Sequence, residues 1–412
     1  MKLTKTLVLV NLFFLQSYLV RFSIGGYPTN LQEILIGITA IIFIVEIIKN
    51  GKLLQTIKNI WKHKIILAFI GLTVISLGLI FSGIITVSPP LTENLDLIRH
   101  LKFLFFATTL GFIFLETFQT KKKRSAAIMI AGLGAIIFGI FSIIYNLSGY
   151  NVAHDLRLLG PLDAAVYLAF YLTPFFLYFS TKFIDSPRKK SYLFYAIILA
   201  FLILATRSMG AIGGSFLVIL IYLVKTGKFL KNRTSKISLL IISVIIFGGI
   251  FYTKILPAFQ TNYSSLNERG EIWTTAADLL KEPKNAIFGV GFGQFQNQYF
   301  ENVATVLDGQ PLDFYVLQPH NIFLLFILNY GILGLLFLGF LIFQTIKKIA
   351  KSEKPGFALF IILYFLIHGL IDTPFFKNDL LILLIIFLEM GLEIPAKVSS
   401  YSTPKPNPLK RR

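Results

Sequence analysis

Three ionisable residues of this 412-residue chain could carry chemistry, two of them where apolar runs begin or end and one at the start of a loop helix. Arg207 lies in Thr206-Arg207-Ser208 between two apolar runs, Arg269 opens a polar stretch with helical spacing, and His320 follows Gln318-Pro319 as the next apolar run starts. Guanidinium forks match phosphate oxygens, so two arginines beside a bilayer suit an anionic lipid headgroup and can neutralise a leaving diphosphate. A neutral imidazole can take a proton from a hydroxyl while a carboxylate or carbonyl orients its second nitrogen. Together these residues point to transfer from a lipid diphosphate donor to a hydroxyl acceptor. Each also has a plainer reading. Arg207 can snorkel to lipid phosphate, Arg269 can pair with Glu268 on a surface, and His320 can simply begin a helix at the membrane interface. His368 lies four residues before Asp372, so the two can share one helical face as a structural pair; Asp372 can also orient His320.

The same residues argue against metal chemistry and against a cofactor. The sequence has no D-x-D, no H-E-x-x-H, no dense acidic set and no cysteine, so no metal site is expected. Gly289, Gly291 and Gly293 lack the downstream lysine and the strand context of a nucleotide-binding loop, and read instead as tight turns and close backbone approaches.

The elements that must position these side chains are membrane helices. Apolar residues make up 55% of the chain and charged residues 14%, with 42 phenylalanines, and mean hydropathy is +0.73. A water-facing surface needs far more charge than that. Twelve apolar runs are expected to span the bilayer: 4–20, 31–48, 65–85, 100–118, 126–145, 162–180, 191–206, 209–224, 237–252, 320–345, 357–371 and 378–394. Their lengths suit helices crossing a hydrocarbon layer roughly 30 Å thick, and they lack the alternation of a barrel. The first run resembles a signal peptide in outline but reads as a retained first helix.

Charge then orients the runs. Of the 39 basic residues, 29 fall at the N-terminus, in 49–64, 119–125, 181–190, 225–236 and 346–356, and in the tail from Ala396. The positive-inside rule therefore puts both termini and those loops in the cytoplasm and the long interval 252–319 outside. The net charge of +19 belongs to this membrane asymmetry and does not imply a nucleic-acid partner. The interval 253–319 is net acidic, with seven Asp or Glu against four Lys or Arg. Within it, Ser265-Leu266-Asn267-Glu268 has the spacing of a capping box, and Arg269, Trp273 and Leu280 recur along one helical face that should stop before Pro283. The segment 86–99 reads as a turn leading to a surface helix, and 396–412 as a disordered basic tail beside anionic lipid. The resulting division is helices 1–9 over 1–251, a large extracytoplasmic loop over 252–319, helices 10–12 over 320–395 and the tail.

With that outline in place, the chain resembles the O-antigen ligase and polymerase superfamily of bacterial envelope membrane proteins. The resemblance rests on Ala205-Thr206-Arg207-Ser208-Met209-Gly210-Ala211, Arg269-Gly270-Glu271-Ile272-Trp273, the Pro283 to Gly293 stretch, and Pro319-His320-Asn321 leading to Tyr330-Gly331-Ile332-Leu333-Gly334. Asp372-Thr373-Pro374-Phe375-Phe376-Lys377-Asn378-Asp379 completes it. It runs from about position 200 to 390; the first half is similar only in its apolar pattern. The resemblance implies an all-α, GT-C-like bundle in the bacterial plasma membrane and a metal-independent, inverting glycosyltransferase. It implies an undecaprenyl diphosphate carrier held by Arg207 and Arg269, and an acceptor hydroxyl activated by His320. By motif match, Asn321, Asp372 and Trp273 are expected to contact substrate. Met209 stands where relatives often carry another residue, which does not touch the clamp.

Two transfer activities remain open, with a third reading from another class. Polymerisation would join one lipid-linked repeat to another; ligation would move the assembled glycan to a lipid, cell-wall polymer or protein hydroxyl. Polymerisation is favoured because no extended domain for recognising a protein acceptor is visible. Transport of a lipid-linked sugar is the third, since twelve spans and an Arg207 and His320 pair fit a transporter, although no matched halves are evident.

Overall fold

The computed structural model describes residues 2–24, 27–87, 94–153, 156–227 and 264–392, together with 248, 249, 252 and 256. Fifteen α-helices are defined among these residues. In chain order they are α1 (Lys2–Phe13), α2 (Leu31–Lys49), α3 (Leu53–Ile60), α4 (Lys64–Phe81), α5 (Leu95–Thr117), α6 (Lys121–Leu147), α7 (Ala165–Asp185) and α8 (Lys190–Ala205). There follow α9 (Met209–Thr226), α10 (Ser265–Leu279), α11 (Pro283–Phe288), α12 (Phe295–Val306), α13 (Ile322–Lys351), α14 (Phe357–His368) and α15 (Asn378–Leu392).

Eleven of the twelve expected apolar runs coincide with these helices. The run 237–252 falls almost wholly outside the described residues, as does the basic tail. Six helices, α2, α4, α5, α6, α9 and α13, are each long and apolar enough to cross a membrane. The chain is an all-α polytopic membrane protein, and its surface agrees. Ile41, Phe105, Phe201 and Ile197 are large apolar side chains left uncovered on the outside of the bundle, where hydrocarbon rather than water would solvate them. At the centre lie α7 and α15, buried on every side, as helices that are apolar all round must be. Helix α15 packs on α5 and α14, and α7 on α6, α8, α9 and α14.

Three local differences from the sequence reading have physical causes. The first apolar run makes only a 12-residue helix; polar Gln16 and Ser17 follow it in a 3-10 turn (Leu15–Leu19), and the chain then forms a two-stranded antiparallel hairpin, β1 (Arg21–Ile24) and β2 (Tyr27–Asn30). Asp96 and Arg99 do not belong to a surface helix. Asn94 caps the 23-residue α5 by accepting from the Leu97 N–H at 3.0 Å, so both sit in the first turns of a long bundle helix. Helix α13 is interrupted at Gly331, whose φ of 61° and ψ of −151° leave the helical region.

The interruption of α13 explains how the polar interval attaches to the bundle. Gly289-Val290-Gly291-Phe292-Gly293 enters at the break. The carbonyl of Leu328 accepts from Val290 N at 2.8 Å and Gly291 N at 3.2 Å, Asn329 Oδ1 accepts from Gly293 N at 2.8 Å, and Ser76 Oγ accepts from Phe292 N at 2.9 Å. Non-helical backbone at such depth survives only where its polar groups find partners. A Cβ on Gly331 would collide with the backbone of Ile287, and one on Gly289 would stand 2.6 Å from the Leu328 carbonyl. Phe292, fully buried, stacks on Tyr330 with centroids 5.6 Å apart. The glycine segment is thus a plug seated in the bundle, and Gly289 makes a close backbone approach of the kind its sequence suggested.

Candidate functional site

A connected line of polar side chains joins α10, the start of α13 and the turn after α14. Asp372 follows the α14 C-cap, and its carboxylate is only 8% exposed. His320 Nδ1 lies 2.9 Å from Asp372 Oδ1, and Arg269 Nη2 lies 3.1 Å from Oδ2. The Thr373 N–H donates to Oδ1 at 2.9 Å. Burial opposes ionisation of this carboxyl, but the charge and hydrogen bond of His320, followed by the charge of Arg269, hold it well below the usual carboxylate range. Exposure rises outward, from Asp372 to Arg269 at 21% and His320 at 29%. The buried acid therefore organises two groups that reach the surface.

Arg269 is fixed on three nitrogens. Besides Asp372, its Nε donates to the Ile371 carbonyl at 2.7 Å and its Nη1 to the Ser265 carbonyl at 2.7 Å. It does not pair with Glu268. Ser264 caps α10 by accepting from Asn267 N at 3.2 Å, one residue before the expected capping position, and this sets Arg269 in the second turn of the helix. Two further N–H groups of a guanidinium with five remain for a ligand.

His320 is held through its backbone. Its φ of 48° is left-handed, as is that of Arg207 at 52°; such conformations are uncommon for residues with a Cβ and persist where the surroundings impose them. The flanking contacts do so here. Trp273 Nε1 donates to the Pro319 carbonyl at 3.0 Å, and Ile322 N donates to the Gly369 carbonyl at 2.6 Å. Asn321 Oδ1 accepts from Phe323 N at 2.9 Å and Leu324 N at 3.3 Å, and its Nδ2 donates to Leu370 O at 3.1 Å. Asn321 and Trp273 thus tie the α13 start to α14 and α10.

Arg207 reaches the same end of the bundle from the α8–α9 junction. Its side chain is exposed, while neighbouring Thr206 is buried. A Cβ on Gly210, in the first turn of α9, would lie 2.9 Å from Ile371 and 3.3 Å from His368, so the turn carrying Arg207 abuts the segment that carries Asp372. Leu158 N donates to the Ala205 carbonyl at 3.0 Å and closes the junction from the other side. The expected pairing of His368 with the Asp372 side chain is not made. His368 Nδ1 lies 3.1 Å from Tyr364 OH, and only the Asp372 N–H reaches back, to the His368 carbonyl at 3.0 Å.

Arg269, His320 and Asn321 therefore contact residues 370–372 directly, Trp273 braces Pro319 beside them, and Arg207 stands on the junction whose next turn packs against Ile371. What spacing alone did not show is that backbone carbonyls of Ser265, Pro319 and Ile371 do much of the positioning. A second group, Lys377 with Asp163, Tyr167 and Tyr18, was also missed as a cluster; its one signal was Lys377 in the motif that begins at Asp372.

Residues 194–339 match the family model described as O-antigen ligase. The matched stretch contains Arg207, Arg269, Trp273, His320 and Asn321, and Asp372 lies beyond it. A search among curated proteins finds no match. The chain is therefore a helical membrane protein in which residues 194–339 are similar to the O-antigen ligase family.

Proposed function

We propose that this protein is a glycosyltransferase that moves a glycan from an undecaprenyl diphosphate carrier to an acceptor hydroxyl at the end of the bundle bearing His320. The observation that carries the reading is the Arg269–Asp372–His320 line. An ionised Asp372 can only accept hydrogen bonds, so His320 Nδ1 is the donor and Nε2 keeps its lone pair. Nε2 takes the proton of the acceptor hydroxyl. The acceptor oxygen forms a bond to the anomeric carbon as the bond from that carbon to the carrier phosphate breaks, and the diphosphate leaves with the electron pair. A single displacement of this kind inverts the anomeric centre. The Asp372 charge stabilises the imidazolium that forms, as the carboxylate of a catalytic triad does.

Arg207 and the two remaining N–H groups of Arg269 hold the diphosphate and offset its growing charge. Nothing in this scheme calls for a metal or another cofactor. The positive-inside distribution supports an orientation with the His320 end outside the bacterial plasma membrane and the basic loops in the cytoplasm. Interval 252–319 then forms the extracytoplasmic segment and 396–412 the cytoplasmic tail.

Polymerisation of lipid-linked repeats of a surface polysaccharide is the first reading. Ligation of the finished glycan to a lipid, cell-wall or protein acceptor is the second, favoured by the description of the matching family. Purified protein in proteoliposomes with lipid-linked repeats distinguishes them. Longer lipid-linked chains support polymerisation, and transfer of unchanged length to a distinct acceptor supports ligation. Flux of the lipid-linked sugar without any new glycosidic bond would overturn both in favour of transport.

A further inference from the structure

Lys377 lies five residues beyond Asp372, in a place that the diphosphate and the base do not use. Its ammonium group sits 3.6 Å from the centroid of the Tyr167 ring and 5.4 Å from that of Tyr18. The side chain is 13% exposed, and its Nζ makes no hydrogen bond. The nearest carboxylate oxygen, Asp163 Oδ2, stands off at 3.7 Å on a side chain that is 73% exposed. The hydroxyl of Tyr18, itself 3% exposed, also lacks a partner. Buried polar atoms are nearly always satisfied, by protein, by water or by a ligand. An ammonium without a hydrogen bond, beside a tyrosine whose hydroxyl also has none, leaves both groups with bonds to make.

Position links this group to the proposed chemistry. The segment before α7 is bonded at Leu158 to the Arg207 junction and carries Asp163 at its other end. A ligand between Asp163 and Lys377 would therefore share the end of the bundle that holds His320. The charges narrow its class. Lys377 has the Asp163 carboxylate at 3.7 Å, and Asp379, two residues on, accepts from Gln16 Nε2 at 2.6 Å. An anion would meet those carboxylates, whereas a sugar hydroxyl accepts from an ammonium and donates to a carboxylate at once.

From this juxtaposition we infer that Lys377, Asp163 and Tyr18 form a subsite for the hydroxyls of a neutral hexose, the unit of the acceptor glycan next to the reacting end. Its place on the acceptor rests on the transferase reading; its affinity for a neutral sugar does not.

The test uses the full-length protein in phosphatidylcholine nanodiscs and saturation-transfer NMR with methyl β-D-glucopyranoside, methyl β-D-galactopyranoside and methyl β-D-glucuronide as probes. At least one neutral glycoside should bind saturably to wild type and to His320→Ala, more tightly than the glucuronide. Lys377→Met and Asp163→Asn should each weaken it by about tenfold or more, the loss expected for one hydrogen bond to a charged group. Asp163 is mostly solvated, so Asp163→Asn keeps the fold, and an unchanged melting temperature verifies this. No neutral glycoside bound by wild type, equal binding by both variants, or preference for the glucuronide would each overturn the subsite and indicate a cluster filled by water alone. Glycoside binding by a protein that forms no glycosidic bond would instead sink the transferase reading and leave the subsite standing.

Discussion

His320 Nδ1 and Asp372 Oδ1 meet at 2.9 Å across 52 residues of sequence, and the same carboxylate holds Arg269 through its other oxygen. One buried acid thus sets both the tautomer of the base and the position of a cation. Asp372→Asn removes the acceptor that keeps the proton on Nδ1. Turnover at saturating donor should fall by roughly 10²- to 10⁴-fold, measured as glycosidic bonds formed per protein in proteoliposomes. A loss under threefold would detach Asp372 from the reaction.

The two arginines should fail differently. Arg207 stands on an exposed junction, so Arg207→Ala should weaken donor binding by an amount on the order of 1.5–3 kcal/mol, the worth of a hydrogen bond to a charged group. Arg269→Lys keeps the charge but cannot serve Ile371, Ser265 and Asp372 together, so it should reduce both turnover and thermal stability. Donor titration by calorimetry, paired with melting curves, separates the two outcomes.

Gly331 is where the plug enters α13. Gly331→Ala places a Cβ against the Ile287 backbone on a residue whose φ is 61°, which should cost about 3 kcal/mol or more. Reduced yield of folded protein in detergent and a lower melting temperature would show it. A variant as stable as wild type would mean that the segment 287–293 can leave its seat without cost.

At the opposite end of the bundle, His63 lies between Glu116 at 3.2 Å and Glu389 at 3.7 Å. Burial opposes its protonation, but hydrogen bonds to Glu116 and Glu389 and their charges outweigh burial and raise its pKa from 6.5 to about 9. A raised folded-state value means that the stabilisation is complete below the unfolded value and is lost as pH climbs through the folded one. The melting-temperature advantage of wild type over His63→Gln should accordingly be constant below pH 6.5 and vanish as pH passes 9. An advantage that does not change up to pH 10 would contradict the pairing.

Helix positions were legible in the sequence because each apolar run had to be long enough for a membrane and each charged loop had to lie in water. Arg207 and His320 were legible for the complementary reason, since ionisable groups at such boundaries are costly without a partner, and Arg269 through the helical spacing of the polar interval. The partners were not legible. Arg269 had Glu268 beside it in sequence and chose Asp372, because α10 places its guanidinium over the turn after α14. His368 and Asp372 had helical spacing, but α14 ends at His368 and the chain turns, so the acid points to His320. The break at Gly331 was hidden inside an apolar run, because hydropathy reports where a segment lies and is silent on the backbone angle of one glycine.

The most direct test of the central claim is a single-turnover measurement on His320→Ala in proteoliposomes, with donor binding followed in parallel. The account predicts donor affinity within about threefold of wild type and transfer slowed by at least about 100-fold. Transfer at an undiminished rate with donor bound would show that another group takes the acceptor proton.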